Sequence, residues 1–244
     1  MQYMERVLSH ELMDDADVPN HDLSASLAYI RGINRRLGGV TALVGHLKRW
    51  SSGWKQSERI TLLDIATGSA DLPVEARKWA LSAGFDLQVT GVDVHEKTLD
   101  FARKHVQQAS EQDARVGEGI ELFQADARQL MERFDAQRFD YVHAGMFLHH
   151  LPEIEVLTVL RIMERLAARG IIWNDLVRSR VAHAAIRVLT IGQPEIVRHD
   201  ARVSVEAGFT KREVLEYARR LDLDWCRYSW SFFTQRFTLA GVKP

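Results

Sequence analysis

Two short stretches constrain this chain more than any others. Leu62-Leu63-Asp64-Ile65-Ala66-Thr67-Gly68-Ser69-Ala70-Asp71 is an apolar run ending in a small-residue bend. About 25 residues on, Gly91-Val92-Asp93-Val94 is a second apolar run ending in a carboxylate. An α/β sheet builds a nucleoside pocket from such a pair: the bend lets a ligand approach the backbone, and the acid bonds a ribose.

From Ile60 onward, short apolar strands alternate with amphipathic helices, the signature of a mostly parallel sheet. The spacing predicts strands at 60–65, 87–93, 119–123, 138–144 and 170–174, with helices at 71–83, 96–109 and 153–168. Pro73 and Pro152 suit first turns of helices. Right-handed crossovers then bring the C-terminal ends of the parallel strands to one edge, where ligands bind. Residues 1–55 read as a helical cap, in which Leu23, Leu27 and Ile30 recur at helical spacing. Gly38-Gly39 interrupts that stripe, and Val40, Leu43, Val44 and Leu47 begin another. Residues 175–209 read as a helical cover over the substrate. Their apolar stripe, Val181, Ala184, Ala185, Val188 and Leu189, either lines an apolar pocket or closes the core. Thr210 with Glu213 makes a capping-box pattern, and candidate strands at 223–230 and 233–240 follow. With no repeat or linker, residues 1–244 read as one domain: a core at 60–174, and a C-terminal helix and hairpin at 210–244.

A dinucleotide site wants G-x-G-x-x-G, which makes room for a pyrophosphate at a helix N-terminus. Here the bend holds one glycine, Gly68, and the next helix opens with Asp71. A carboxylate in that place repels pyrophosphate and welcomes an ammonium. S-adenosylmethionine carries an adenosine, an ammonium, a carboxylate and a sulfonium, and no phosphate. The charge pattern therefore favours it over a nicotinamide dinucleotide.

Over roughly Ile60 to Gly170 the sequence resembles the class I S-adenosylmethionine-dependent methyltransferases. Asp64-x-Ala66-x-Gly68-x-x-Asp71 matches their first motif and Gly91-Val92-Asp93 the second. Gln124-Ala125-Asp126-Ala127 is similar to the third, and Phe139-Asp140-Tyr141-Val142 with Phe147-Leu148-His149-His150-Leu151 to the fourth. The order and gaps of all four carry the resemblance, since any one alone is weak. In wording they are nearest to quinone-type C-methyltransferases and to small-molecule methyltransferases of phenolic-lipid polyketide pathways. The flanks, Ile33 to Gly39 and Asn174 to Arg180, resemble the second group. The implied fold is α/β: a Rossmann-like, seven-stranded, mostly parallel sheet with an antiparallel last strand. N-terminal helices and a helical cover inserted after strand 5 complete it.

Asp93 stands where a carboxylate accepts from both ribose hydroxyls, and its rival role is capping the helix at Glu96. A side chain at Gly68 would block the ligand's amino-acid portion. Asp64 and Asp71 orient the bend and face the ammonium, or else serve as caps. The resemblance adds Ala66, Thr67 and Ser69 as cosubstrate contacts, Asp126 at the adenine amine, Val94 and Ala127 flanking the purine, and His143 beside the cosubstrate. His149 is the preferred general base, since imidazole near neutral pH can take a proton from a phenol. His199 and Asp175 are further catalytic candidates, and Met146, His150, Asn174 and Arg178 are candidates for the acceptor. An apolar acceptor would also suit Phe147, Leu148 and Ile191.

A metal is not expected, because His143 stands at the fourth strand where a metal-dependent catechol-type enzyme would offer an acid. The expected partner is a small aromatic or phenolic acceptor, methylated at oxygen. Ring-carbon methylation of a quinol and a non-catalytic cosubstrate-binding role are the alternatives. Lys and Arg total 32 against 33 Asp and Glu, which leaves no basic footprint for nucleic acid. The single Cys226 excludes an internal disulfide and a thiolate zinc site. No stretch has the length of a membrane span, so a cytoplasmic location is expected. A homodimer stays open.

Overall fold

The computed structural model describes residues 5–56, 58–134 and 139–244. In chain order the elements are α1 (Asn20–Arg36), α2 (Gly39–Trp50), β1 (Arg59–Ile65), α3 (Asp71–Ser82), β2 (Asp86–Asp93) and α4 (Glu96–Gln112). Next come α5 (Ala114–Glu118), β3 (Ile120–Gln124), α6 (Leu130–Phe134), β4 (Phe139–Gly145), α7 (Glu153–Leu166) and β5 (Ala167–Leu176). The cover holds α8 (Arg180–Leu189) and α9 (Glu195–Ala207), before α10 (Lys211–Arg220), β6 (Arg227–Ser231) and β7 (Arg236–Val242).

The central strands β1, β4 and β5 read as near-continuous apolar runs because helices cover both their faces. The sheet has seven strands in the order β3-β2-β1-β4-β5-β7-β6. β7 alone runs antiparallel to its neighbours, β5 and β6. From β1 the chain winds outward through β2 and β3, then returns to β4 and winds the other way. The order therefore reverses between β1 and β4, the crevice where such sheets bind ligands.

Several elements differ from the sequence-based expectation, the larger differences for local reasons. β5 starts at Ala167, because Ala167 pairs with Phe139 across the sheet. The strand expected from 223 starts at Arg227, since Asp222 takes a left-handed φ of 55° and the Cys226 N–H bonds the Leu223 carbonyl. The five-residue helices α5 and α6 carry too few turns to show a periodicity. Arg138, the first residue of the fourth expected strand, lies outside the described residues. The Thr210–Glu213 capping box is present in full.

On one face, α7 and α10 pack on β4, β5 and β7 around Trp173. Its indole meets Phe209 and Phe237 edge-on at centroid distances of 4.9 and 5.0 Å. On the other, Leu43, Leu47, Val74 and Ala80 of α2 and α3 cover Ile60, Leu62 and Ile172. A third cluster joins Leu23 and Leu27 of α1 to Ile196 and Val197 of α9. Cap and cover thus meet each other beside the sheet edge. Among the described residues no helix is long and apolar enough to cross a membrane.

Where β5 meets β7 the backbones leave no room for a side chain. A Cβ on Gly170 would lie 2.4 Å from the Gly241 carbonyl oxygen, a backbone atom that cannot swing away. Gly170→Ala is expected to cost about 1–3 kcal/mol, read as a lowered thermal midpoint. An unchanged midpoint would mean that this strand pair is looser than described.

Candidate active site

The bend after β1 is held by unusual backbone. Ala66, Gly68 and Ala70 all take a left-handed φ of 55°, which costs energy at the two alanines. Thr67 anchors the bend, its N–H bonding the Val92 carbonyl and its hydroxyl donating to Asp64 Oδ2 at 2.7 Å. The bend can persist because β2, Asp64 and Asp93 fix it from three sides. Nothing lies within 4 Å of where a Gly68 Cβ would stand, so the bend opens on a space a ligand can fill.

Asp93 ends β2 with its Oδ2 accepting from the Gly68 N–H and its Oδ1 from the His95 N–H, each at 3.0 Å. Its role is thus double: it ties the two strand ends together, and it keeps lone pairs for a ligand. Burial pushes its carboxyl above the usual range, with the two backbone bonds opposing. Asp71 opens α3 and accepts from Asn34 Nδ2 of α1 at 3.0 Å. Burial raises this carboxyl too, and the charge of Asp64 adds to it. A cationic ligand would offset both costs.

These residues share one cavity of about 360 Å³ at the crevice between β1, β2 and β4. Of the expected cosubstrate contacts, Asp64, Ala66, Thr67, Gly68, Ser69, Asp71, Asp93, Val94, Asp126 and Ala127 line it. Of the expected acceptor and catalytic residues, Met146, His149 and His150 line it. Met146 also has a left-handed φ of 55°. The Asp126 carboxylate is gripped by Arg128, whose Nη2 approaches to 2.6 Å, and this bond holds Asp126 well below the usual carboxylate range.

Five expected residues are not among those lining the cavity. His143 is fully buried behind the bend, its Nδ1 2.6 Å from Asp64 Oδ1, so it supports Asp64 from the sheet side. Asn174 donates to the Phe237 carbonyl and accepts from Arg236 Nη1, which pins β7 to β5. Asp175, at 0% exposure, accepts from His149 Nδ1 at 2.7 Å, from the Trp173 indole and from the Leu176 N–H. Arg178 donates to the Gly208 carbonyl and to Glu213, bracing the start of α10. His199 turns to Asp200, at 3.0 Å.

The cover also differs in phase from expectation. Val181, Val188 and Ile191 point to solvent, at 48, 67 and 75% exposure. Ile186 is the α8 residue that reaches the cavity, and α9 supplies Val197, Ala201, Ser204 and Val205. Leu148 is core instead of lining. α8 packs on α9 rather than lying flat on the sheet, which rotates the stripe away from the site.

His149 sits between two acids. Burial opposes its charge, but Asp175 and Glu11 outweigh that and raise the imidazole to about 9. With Nδ1 held by Asp175, Nε2 is the ring nitrogen that faces Glu11 and the cavity, and the base role expected from sequence would fall to it in the neutral form. Glu11 comes from the N-terminal segment, its Oε1 3.7 Å from His149 Nε2 and 3.8 Å from His150 Nε2. His150 Nδ1 lies 3.4 Å from Asp14. Glu11, Asp14, Asn34, Ser204 and Arg236 all line the cavity, and sequence reasoning gave none of them a site role. The available signals were weak: an asparagine inside the apolar stripe of α1, and an arginine inside an aromatic strand.

The fold and crevice define a Rossmann-like domain whose single-glycine bend opens on a cavity at the point where the strand order reverses. Residues 62–170 match the family described as "methyltransferase domain". That segment, a little under half of the chain, carries a methyltransferase domain, and the chain has the Rossmann-like fold of S-adenosylmethionine-dependent methyltransferases. Among curated proteins no sequence matches it. Solved structures are similar in fold. Magnesium protoporphyrin IX methyltransferase from Synechocystis PCC 6803 with bound SAH has 15% identity and a TM-score of 0.59, with 91% of this chain and 95% of that one covered. The plantazolicin methyltransferase BamL, in complex with a triazolic desmethylPZN analog and SAH, has 11% identity and a TM-score of 0.62, with 92% and 97% covered. An O-methyltransferase family protein from Burkholderia thailandensis has 14% identity and a TM-score of 0.55, with 83% and 57% covered.

Proposed function

We propose that the chain methylates a hydroxyl oxygen of a small, mainly apolar acceptor of the phenolic type. The observation that carries this reading is the make-up of one cavity. The donor bend, a wall of apolar side chains (Leu27, Ile30, Ile33, Ile186, Val197, Val205) and one polar cluster, Glu11 with His149 and His150, all open on it. A flat apolar ring bearing a hydroxyl fits that division, with the ring on the apolar wall and the oxygen on the cluster. Relatives in fold that act on small molecules, such as the protoporphyrin enzyme, agree with it.

In this reading Asp93 accepts from the ribose hydroxyls, and Val94 and Ala127 lie along the purine. Asp71 and Asp64 face the ammonium end. Arg236 suits the carboxylate: it is buried and lines the cavity, and its Nη2 has no hydrogen-bond partner. Burial pushes its guanidinium down to about 10, a cost that a bound carboxylate would relieve. Bound S-adenosylmethionine supplies an electrophilic methyl carbon on a sulfonium. The chain's own residues then align the acceptor oxygen with it and exclude water, with cap and cover closing the roof.

Labelled-cosubstrate assays against phenols, quinols and RNA test the reading. Label on phenol oxygen is expected; label on ring carbon or on RNA alone would overturn it. Arg236→Met is expected to weaken S-adenosylhomocysteine binding by roughly tenfold or more, the cost of one charge-assisted pair. Unchanged binding by calorimetry would remove Arg236 from the carboxylate role.

A further inference from the structure

The polar cluster has the geometry of a metal site. We propose that Glu11, His149 and His150 hold a divalent first-row transition-metal ion, whose open positions face the cavity and take the acceptor's hydroxyl oxygen. The part concerning the acceptor rests on the function proposed above; the ion site does not.

Three observations carry the inference. The first is convergence: Glu11 Oε1 lies 3.7 Å from His149 Nε2 and 3.8 Å from His150 Nε2, and the three donor atoms fall within 4.8 Å of one another. Ligands at ~2.0–2.1 Å from an ion stand roughly 3.0–3.4 Å apart, so a closure of a few tenths of an ångström brings Glu11 to ligand spacing with each imidazole. The second is orientation. His149 Nδ1 meets Asp175 at 2.7 Å and His150 Nδ1 faces Asp14 at 3.4 Å, which turns both Nε2 atoms toward Glu11. A carboxylate on the far ring nitrogen is the usual support for a ligating histidine, since it fixes the tautomer and raises basicity. Ser204 in turn donates to Glu11 Oε1 and fixes that carboxylate.

The third observation is an unmet need. His149 Nε2 is buried without a hydrogen-bond partner, although it points into a polar cluster. Buried polar atoms in folded proteins are almost always satisfied. An ion would supply the missing partner and balance the carboxylates of Glu11, Asp14 and Asp175.

The donor set names the class of ion. Two imidazoles and one carboxylate suit Zn²⁺, Mn²⁺, Fe²⁺ or Co²⁺, whereas Mg²⁺ and Ca²⁺ prefer all-oxygen sites. With three protein ligands, coordination positions remain for an outside oxygen. An acceptor hydroxyl there would lose its proton more readily, and the proton would pass to water. Its oxygen would then form the bond to the methyl carbon as the carbon–sulfur bond breaks. The electron pair returns to sulfur, so nothing is oxidised or reduced.

The test titrates the chelator-stripped full chain with Zn²⁺, Mn²⁺ or Co²⁺, read by calorimetry and, for Co²⁺, by visible absorption. A single ion per chain is expected, with absorption bands of nitrogen and oxygen ligation. Glu11→Gln and His150→Ala should each weaken it by about a hundredfold or more, and Asp14→Asn by about tenfold. S-adenosylhomocysteine binding, measured on the same samples, reports whether each variant is folded. No ion bound by the parent chain, or equal affinity in folded Glu11→Gln and His150→Ala, would overturn the site. A bound ion without methylation of any hydroxyl would sink the acceptor reading and leave the site standing. Full turnover in a stripped chain that binds no ion would do the reverse.

Discussion

Asp93→Ala should reduce the affinity for S-adenosylhomocysteine by at least about a hundredfold, with turnover falling in step. The size follows from two charge-assisted bonds to ribose hydroxyls, together worth about 3 kcal/mol. A second loss comes from the protein itself. The carboxylate also holds the Gly68 and His95 N–H groups at 3.0 Å, so its removal slackens the bend that would cradle the amino-acid half. The thermal midpoint without ligand should change little, because burial already sets this carboxylate at a cost. Asp93→Asn, of equal shape but uncharged, should fall between parent and Ala. Calorimetry with S-adenosylhomocysteine decides. Affinity within about threefold of the parent would remove Asp93 from the ribose role, since losing even one such bond exceeds that.

Trp173→Ala should cost about 3–5 kcal/mol of stability, the largest single effect expected anywhere in the chain. The indole has no exposed surface, and Phe209, Phe237 and Tyr217 pack around it. Deleting it leaves a cavity where β5, β7 and the α10 layer meet. It also removes the indole N–H that bonds Asp175 Oδ2 at 3.2 Å, and Asp175 is what positions His149. Chemical denaturation should show the loss at an unchanged slope. Trp173→Phe keeps most of the packing without the N–H donor. It should therefore recover much of the stability while still disturbing His149. Equal stability in Trp173→Ala and the parent would show that the cluster is not where the core is held.

The central elements were legible because each carries its own signal. β1 and β2 are apolar runs closed by Asp64-to-Asp71 and by Asp93, and the observed β1 and β2 begin one residue earlier than expected. α3, α4 and α7 show clear stripes. The donor bend was legible for the same reason: all its residues are near neighbours in sequence, and small residues before an acid have few other uses. The polar cluster was only half legible. His149-His150 stood out beside the fourth strand, but Glu11 and Asp14 lie in an aperiodic stretch that gives no reason to face them. His143, Asn174, Asp175 and Arg178 were placed at the right strand ends yet given ligand contacts. In the structure their side chains face Asp64, Phe237, His149 and Glu213.

Sequence alone determined the alternation of strands and helices, the direction of the crossovers and the edge where the bend and Asp93 meet. Those follow from local periodicity, turn chemistry and the handedness of parallel connections. Only the tertiary structure decided what faces the donor site. The packing of the N-terminal segment on α9 brings Glu11 to His149, the β5–β7 pairing brings Arg236 to Asn174 and the cavity, and the packing of α8 on α9 turns the α8 stripe outward. Contacts between segments that far apart depend on how whole helix faces pack, and no short window of residues carries that information.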